Sequence, residues 1–256
     1  KKLNRRFKLP KLKRDESFTF SEEGSGLAIA AKLSTLGLYN DPMLQQYVNS
    51  VGKYVAEHSH GYDINFQFYI LDQDEINGYA CPGGIIFITR GAIQNMRTEA
   101  ELACFLGHEI THAIYRHGMQ EMEARKEMIM ADNVFDEMAM ELDSDLNQLD
   151  TSTDMDDMAL DSYEFIFRGR LGDYEEEADN LGLLYAARSG YDPRSMVKFL
   201  DRVDKKNGEV AGEHYSPARN DLRMKRIKKL LSGKPWKGSH PYKNHKKRFK
   251  QSTSTH

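Results

Sequence analysis

The chain has 256 residues, enough to bury a sizeable core, and its formal net charge of -3 conceals strong segregation. Residues 1–14 hold eight Lys or Arg and no acid, Glu121 to Asp161 hold fourteen acids against Arg125 and Lys126, and Lys225 to Lys250 is basic again. No run approaches the about 20 apolar residues that cross a bilayer, two cysteines cannot make a disulfide framework, and nothing repeats at a solenoid period.

This patterning predicts one domain over residues 21–232, a basic arm over 1–20, a basic tail over 233–256 and an acidic, Met-rich insert over 119–161. The basic ends lack a nucleic-acid motif and the aromatic interleaving of a stacking platform, so no specific nucleic acid is expected. They read as solvated tails that could make peripheral contact with an anionic membrane.

In chain order, the hydrophobic spacing predicts a helix from Asp41 to His58, a strand from Phe66 to Leu71 and a strand from Ile85 to Thr89. A short helix at Ala92 to Asn95 leads into a long one from Glu99 to His117. Thr98 and Glu101 there form a capping-box pattern, and Leu102, Ala103, Leu106, Ile110, Ala113 and Ile114 keep a helical period. Further helices are expected at Glu121 to Leu142, Glu175 to Ser189, Pro193 to Asp204 and Asp221 to Leu231, with Trp236 as an anchor for the tail. The fold class is therefore α+β, mainly helical, with a small sheet beside the long helix.

That long helix carries His108-Glu109-Ile110-Thr111-His112. Two histidines four apart share one helix face, one turn apart, where both rings can bind the same Zn²⁺. Glu109 then lies beside the metal, placed to take a proton from water. Exposed histidines on an arbitrary helix would mean little, but this helix is apolar enough to be buried, and a buried pair of imidazoles needs a partner.

Catalytic zinc usually takes three protein ligands, so one is missing. The Gly and third His that a metzincin places three and six residues after His112 are replaced by Tyr115 and Gly118. His117, nine residues after His108, would have turned about 180° away on a continuous helix, and reads as a structural residue at its end. The acidic helix start Asp173 to Asn180 is the other place to look. Glu175 and Asp179 share a face and could supply a ligand and a carboxylate behind a ligand, although acids in a first helical turn also simply complement the helix dipole.

Four segments together resemble metallopeptidase family forty-eight. They are Asn77-Gly78-Tyr79-Ala80-Cys81-Pro82-Gly83-Gly84-Ile85 continuing to Gly91, the helix Glu99 to His117, Glu175-Glu176-Glu177-Ala178-Asp179, and Gly190-Tyr191-Asp192-Pro193. The resemblance implies a zincin-like fold of the gluzincin type. It also implies one Zn²⁺ held by His108, His112 and Glu175, with Glu109 as general base and Asp179 behind a ligand. Ile85 to Thr89 would then be an edge strand at the lip of the cleft, with Asn77, Gly83, Gly84, Ile85 and Phe87 meeting an extended substrate. His214 falls where the family has a His that precedes an Arg, and stays open between a catalytic role and a blocking switch; Tyr215 and Arg226 are weaker candidates.

The implied activity is zinc-dependent cleavage of protein or peptide substrates, with misfolded envelope proteins as a candidate class. The soluble members point to the bacterial periplasm or cell envelope. The Met-rich insert and His214 keep an alternative open, a chaperone-like client-binding protein whose protease activity is latent.

Overall fold

The computed structural model describes residues 7–10, 20–120, 172–205, 217–233, 235–236 and 242–254. The insert beyond residue 120, with its expected helix from Glu121 to Leu142, lies outside the described residues, as do His214 and Tyr215.

Eight helices and three short strands are present among the described residues. The first helix, α1 (Phe20–Ser34), falls in a segment for which the hydrophobic spacing predicts no element. Next comes α2 (Pro42–Ala56), which starts as its sequence dictates: Asp41 accepts a hydrogen bond from the Leu44 N–H, and Pro42 fills the first turn. The sheet follows as β1 (Gln67–Leu71), β2 (Gly78–Ala80) and β3 (Ile85–Thr89), with a Pro82–Gly84 turn between the last two. Then come α3 (Arg90–Gln94), α4 (Glu99–Ile114), α5 (Gly172–Arg188), α6 (Ser195–Lys205), α7 (Pro217–Ser232) and α8 (Lys246–Thr253).

The sheet order is β1-β3-β2, with β1 parallel and β2 antiparallel to β3. This corrects the expectation for Ile85 to Thr89: β3 is the central strand, and both its edges are filled. The edge strands are β1 and β2, of which β2 is three residues long and too short to show a period in the sequence. Phe87 is buried, and clusters with Ala30, Leu33, Leu71 and Tyr79. The other face of the sheet, with Phe68, Ile70, Ile86 and Ile88, enters the main core with α2 and α4. Alternate residues of β3 thus serve two cores, as a pleated strand between helical layers requires.

Gly83 and Gly84 adopt positive φ angles, and the chain that approaches their turn belongs to the protein itself. A Cβ on Gly26 of α1 would come within 2.0 Å of the Pro82 carbonyl oxygen, so α1 covers the turn that had been expected to meet substrate.

The described parts of the ends also differ from the solvated tails expected there. Phe7 is buried against Trp236, ring centroids 4.8 Å apart, which agrees with Trp236 as an anchor. In α8, Phe249 is buried in the main core and packs on Tyr47, while Arg248 forms a two-pronged ion pair with Glu99 at the start of α4. One buried aromatic ring in a run of lysines, together with this ion pair, seats the helix.

Candidate metal centre

Every residue of α4 is buried. Its start is set by Thr98, whose side chain accepts from the Glu101 N–H, while Glu101 accepts from the Arg97 N–H. This is the predicted box displaced by one residue at its return bond. Glu99, buried in the first turn, accepts from the hydroxyls of Tyr47 (2.7 Å) and Tyr191 (2.8 Å) as well as from Arg248. Burial pushes its carboxyl up, but Arg248 and the two tyrosines outweigh that and hold it below the ordinary value. Tyr191 belongs to the Gly190–Pro193 turn, so that motif fastens the end of α5 to the start of α4.

The packing of α5 against α4 brings the ligand groups together. The helices cross at Gly107 and Gly182, where a Cβ on Gly182 would lie 2.5 Å from the His108 backbone nitrogen and one on Gly107 would lie 2.6 Å from the Gly182 carbonyl oxygen. Only glycine permits this backbone contact. Two turns before the crossing, Glu175 faces both histidines, with Oε2 3.5 Å from His108 Nε2 and Oε1 3.3 Å from His112 Nε2. The two Nε2 atoms are 3.1 Å apart. His108, His112 and Glu175 present ligand atoms that all lie within 4.8 Å of one another, a group able to hold a metal ion.

Behind this face, Asp179 accepts from His108 Nδ1 at 3.0 Å, and Arg223 of α7 donates to both Asp179 oxygens at 2.7 and 2.9 Å. The Arg223 guanidinium also lies 3.9 Å from Glu175. Burial pushes the Asp179 carboxyl up, but Arg223 and His108 hold it below its usual value. Glu175 is likewise pushed up by burial, and His108, His112 and Arg223 hold it well below. Arg226, the arginine offered by the sequence, pairs instead with Glu176, and Arg223 is the one on the Asp179 carboxylate.

His117 is not where a continuous helix would put it. Helix α4 ends at Ile114, Tyr115 caps it, Arg116 takes a left-handed conformation (φ 55°) and a new helical turn begins at His117. The chain therefore doubles back, and His117 Nδ1 lies 2.9 Å from His112 Nδ1. It does not reach the ligand face, as expected, but the reason is its place behind His112 rather than a 180° rotation.

Glu109 is buried, with its carboxylate against β2: a Cβ on Gly78 would lie 2.6 Å from Glu109 Oε1. The pairing of β2 with β3 uses the backbone of Tyr79, and alternation turns the peptide groups of Gly78 and Ala80 the other way. Asn77 is buried and turned onto its own backbone, its Oδ1 accepting from the Gly78 N–H at 2.9 Å. Both cysteines are buried, Cys104 on α4 and Cys81 beside the turn, and neither is in a disulfide.

The sequence model of peptidase family M48 matches residues 42–255. The chain belongs to peptidase family M48. This M48 chain is 30% identical over 166 residues to the beta-barrel assembly-enhancing protease of Escherichia coli (strain K12), an overlap covering 65% of the chain and 34% of that relative. It is 28% identical over 168 residues to the protein of the same name from Yersinia pestis, with 65% and 34% covered. The mitochondrial metalloendopeptidase OMA1 of Arabidopsis thaliana is 24% identical over 182 residues, with 69% and 34% covered. The M48 chain thus spans about a third of the length of these relatives. No helix among the described residues is long and apolar enough to cross a membrane.

Proposed function

We propose that this chain is a zinc-dependent endopeptidase in which His108, His112 and Glu175 hold one Zn²⁺ and Glu109 is the general base. The observation that carries the reading is the convergence of three ligand atoms within 4.8 Å, two of them imidazole nitrogens facing each other at 3.1 Å. Asp179 accepts the His108 Nδ1 proton and so leaves the lone pair of that ring on Nε2, toward the cluster. Two nitrogens and a carboxylate oxygen suit Zn²⁺, with a fourth position left for water or substrate.

When bound, the ion would polarise the scissile carbonyl and bring the pKa of water to about 7. Glu109 takes the proton of the attacking water and carries it to the leaving amine. Asp179 fixes the His108 ring, and Arg223 keeps Asp179 ionised. An extended substrate would pair with the outward Gly78 carbonyl and the outward peptide groups of Ala80 on β2, beside Glu109, the Gly78 N–H being taken by Asn77. Such backbone pairing makes binding largely indifferent to side chains. The bacterial relatives' name, beta-barrel assembly-enhancing protease, supports protein substrates; envelope proteins as those substrates, and a role in their quality control, are part of this proposal.

The test is Glu109→Gln, which should keep zinc and melting temperature but lower cleavage of casein or a quenched peptide by about 10²-fold or more. Unchanged cleavage would sink the mechanism. Client retention that is insensitive to chelator, with no cleavage by the wild type, would favour the chaperone-like alternative.

A further inference from the structure

We propose that His117 is a positioning residue that holds His112 in its metal-binding tautomer, as the middle member of a Glu177–His117–His112 chain. The proposal rests on the metal-site reading above and assigns a role to a residue outside the ligand set.

The protons can be placed one after another. A Glu177 carboxylate only accepts, and its Oε2 lies 3.2 Å from His117 Nε2, so that nitrogen carries the hydrogen. The lone pair of the neutral His117 ring is then on Nδ1, 2.9 Å from His112 Nδ1. His112 must donate there, which leaves its own lone pair on Nε2, facing His108 Nε2 and Glu175. Of the two ligand histidines, His108 is thus oriented by a carboxylate directly, and His112 by a carboxylate through a second imidazole.

Besides Glu177, two rings hold the placement of His117. Its ring is buried, stacked on Tyr174 at 4.6 Å and 17°, and set edge-on to His112 at 4.9 Å and 81°. Tyr174, Glu175 and Glu177 all come from the first turns of α5, so one helix start supplies a proposed ligand, the stacking ring and the terminal carboxylate. The backbone turn that brings His117 back is itself unfavourable. Arg116 occupies a left-handed position at φ 55° that glycine usually takes at a helix end, at a cost of about 1–2 kcal/mol for a residue with a Cβ. Such conformations persist where the surroundings hold them, and cluster at functional sites.

A purely structural His117 would serve as an aromatic filler between Tyr174 and His112, and two substitutions in the full chain separate the roles. His117→Phe keeps the stack and removes the acceptor. His117→Asn loses the stack and offers an amide oxygen near the position of Nδ1. Zinc affinity, read by competition with a chromophoric chelator, should weaken by about 10–100-fold in His117→Phe and recover most of that loss in His117→Asn. Long-range ¹H–¹⁵N spectra of the zinc-loaded protein should show His112 bound through Nε2 with a hydrogen-bonded Nδ1–H in the wild type, and an Nδ1–H that exchanges faster with solvent in His117→Phe. Wild-type zinc affinity in His117→Phe, or a His117→Asn variant as weak as His117→Phe, would overturn the relay and leave the metal site standing. A wild type that takes up no zinc would overturn the metal site and the relay together.

Discussion

Gly182→Ala is the sharpest probe of how this site is assembled. The added Cβ would lie 2.5 Å from the His108 nitrogen, 2.7 Å from the Gly107 carbonyl carbon and 2.8 Å from the His108 Cα, against 3.4 Å or more in ordinary contact. All three are backbone atoms of α4, so no flexible side chain can move aside, and the two helices must separate by roughly 1 Å if they are to keep ordinary contact. Overpacking of this kind costs about 1–3 kcal/mol, and each kcal/mol lowers the melting temperature by roughly 2–4 °C in a domain of this size. Metal sites tolerate ligand displacements of only about 0.2 Å, so a shift of Glu175 on that scale should weaken zinc binding by at least about 10-fold. Chelator competition at pH 7 and thermal melts of the metal-free protein would measure the two effects separately. Gly24→Ala on α1, where a Cβ meets nothing within 4 Å, is the control and should be neutral or stabilising. A Gly182→Ala protein with wild-type zinc affinity and melting temperature would show that the close crossing does not set the ligand geometry.

Arg223→Met should destabilise the fold by about 3–5 kcal/mol, because it leaves the buried Asp179 carboxylate without its countercharge. The double variant with Asp179→Asn should regain most of that stability in denaturant melts yet bind zinc about 10–100-fold more weakly than the wild type; a single-variant cost near zero would contradict the pairing. Glu99 is held below its ordinary pKa of 4.5, so its ionised form contributes stability above that value, and the contribution fades as pH falls through the folded pKa. The melting-temperature advantage of wild type over Glu99→Gln should accordingly be full at pH 7 and shrink below about pH 4.5. A difference that does not change with pH would contradict it.

Local chemistry marked the residues that cluster in the candidate metal centre. Thr98 sets the start of α4, the four-residue spacing puts two rings on one side, and the acidic start of α5 holds Glu175 and Asp179 on a shared face. Long-range order was less legible. A strand of three residues decides that β3 is central, and its period is too short to be seen. His117 was misplaced because a left-handed arginine carries no mark in the sequence, whereas a glycine there would have announced a helix end. Arg223 is one of three similar arginines in a basic stretch, and only its place on α7 directs it to Asp179. Gly107 and Gly182 did carry a signal: glycine inside a helix costs up to about 1 kcal/mol relative to alanine, so two such residues in facing helices suggest a packing reason. Phe249 gave a similar hint, as a large apolar ring among lysines.

The ion pair between Glu99 and Arg248 also has a temporal side, since 149 residues separate its partners. During synthesis His108, His112, Glu175 and Asp179 all leave the ribosome before Arg248 does. Until then the buried end of the histidine helix lacks its countercharge, and the GYDP turn and Tyr47 hold that carboxylate with hydroxyls alone. All four residues of the candidate metal centre are thus synthesised before the arginine that neutralises Glu99.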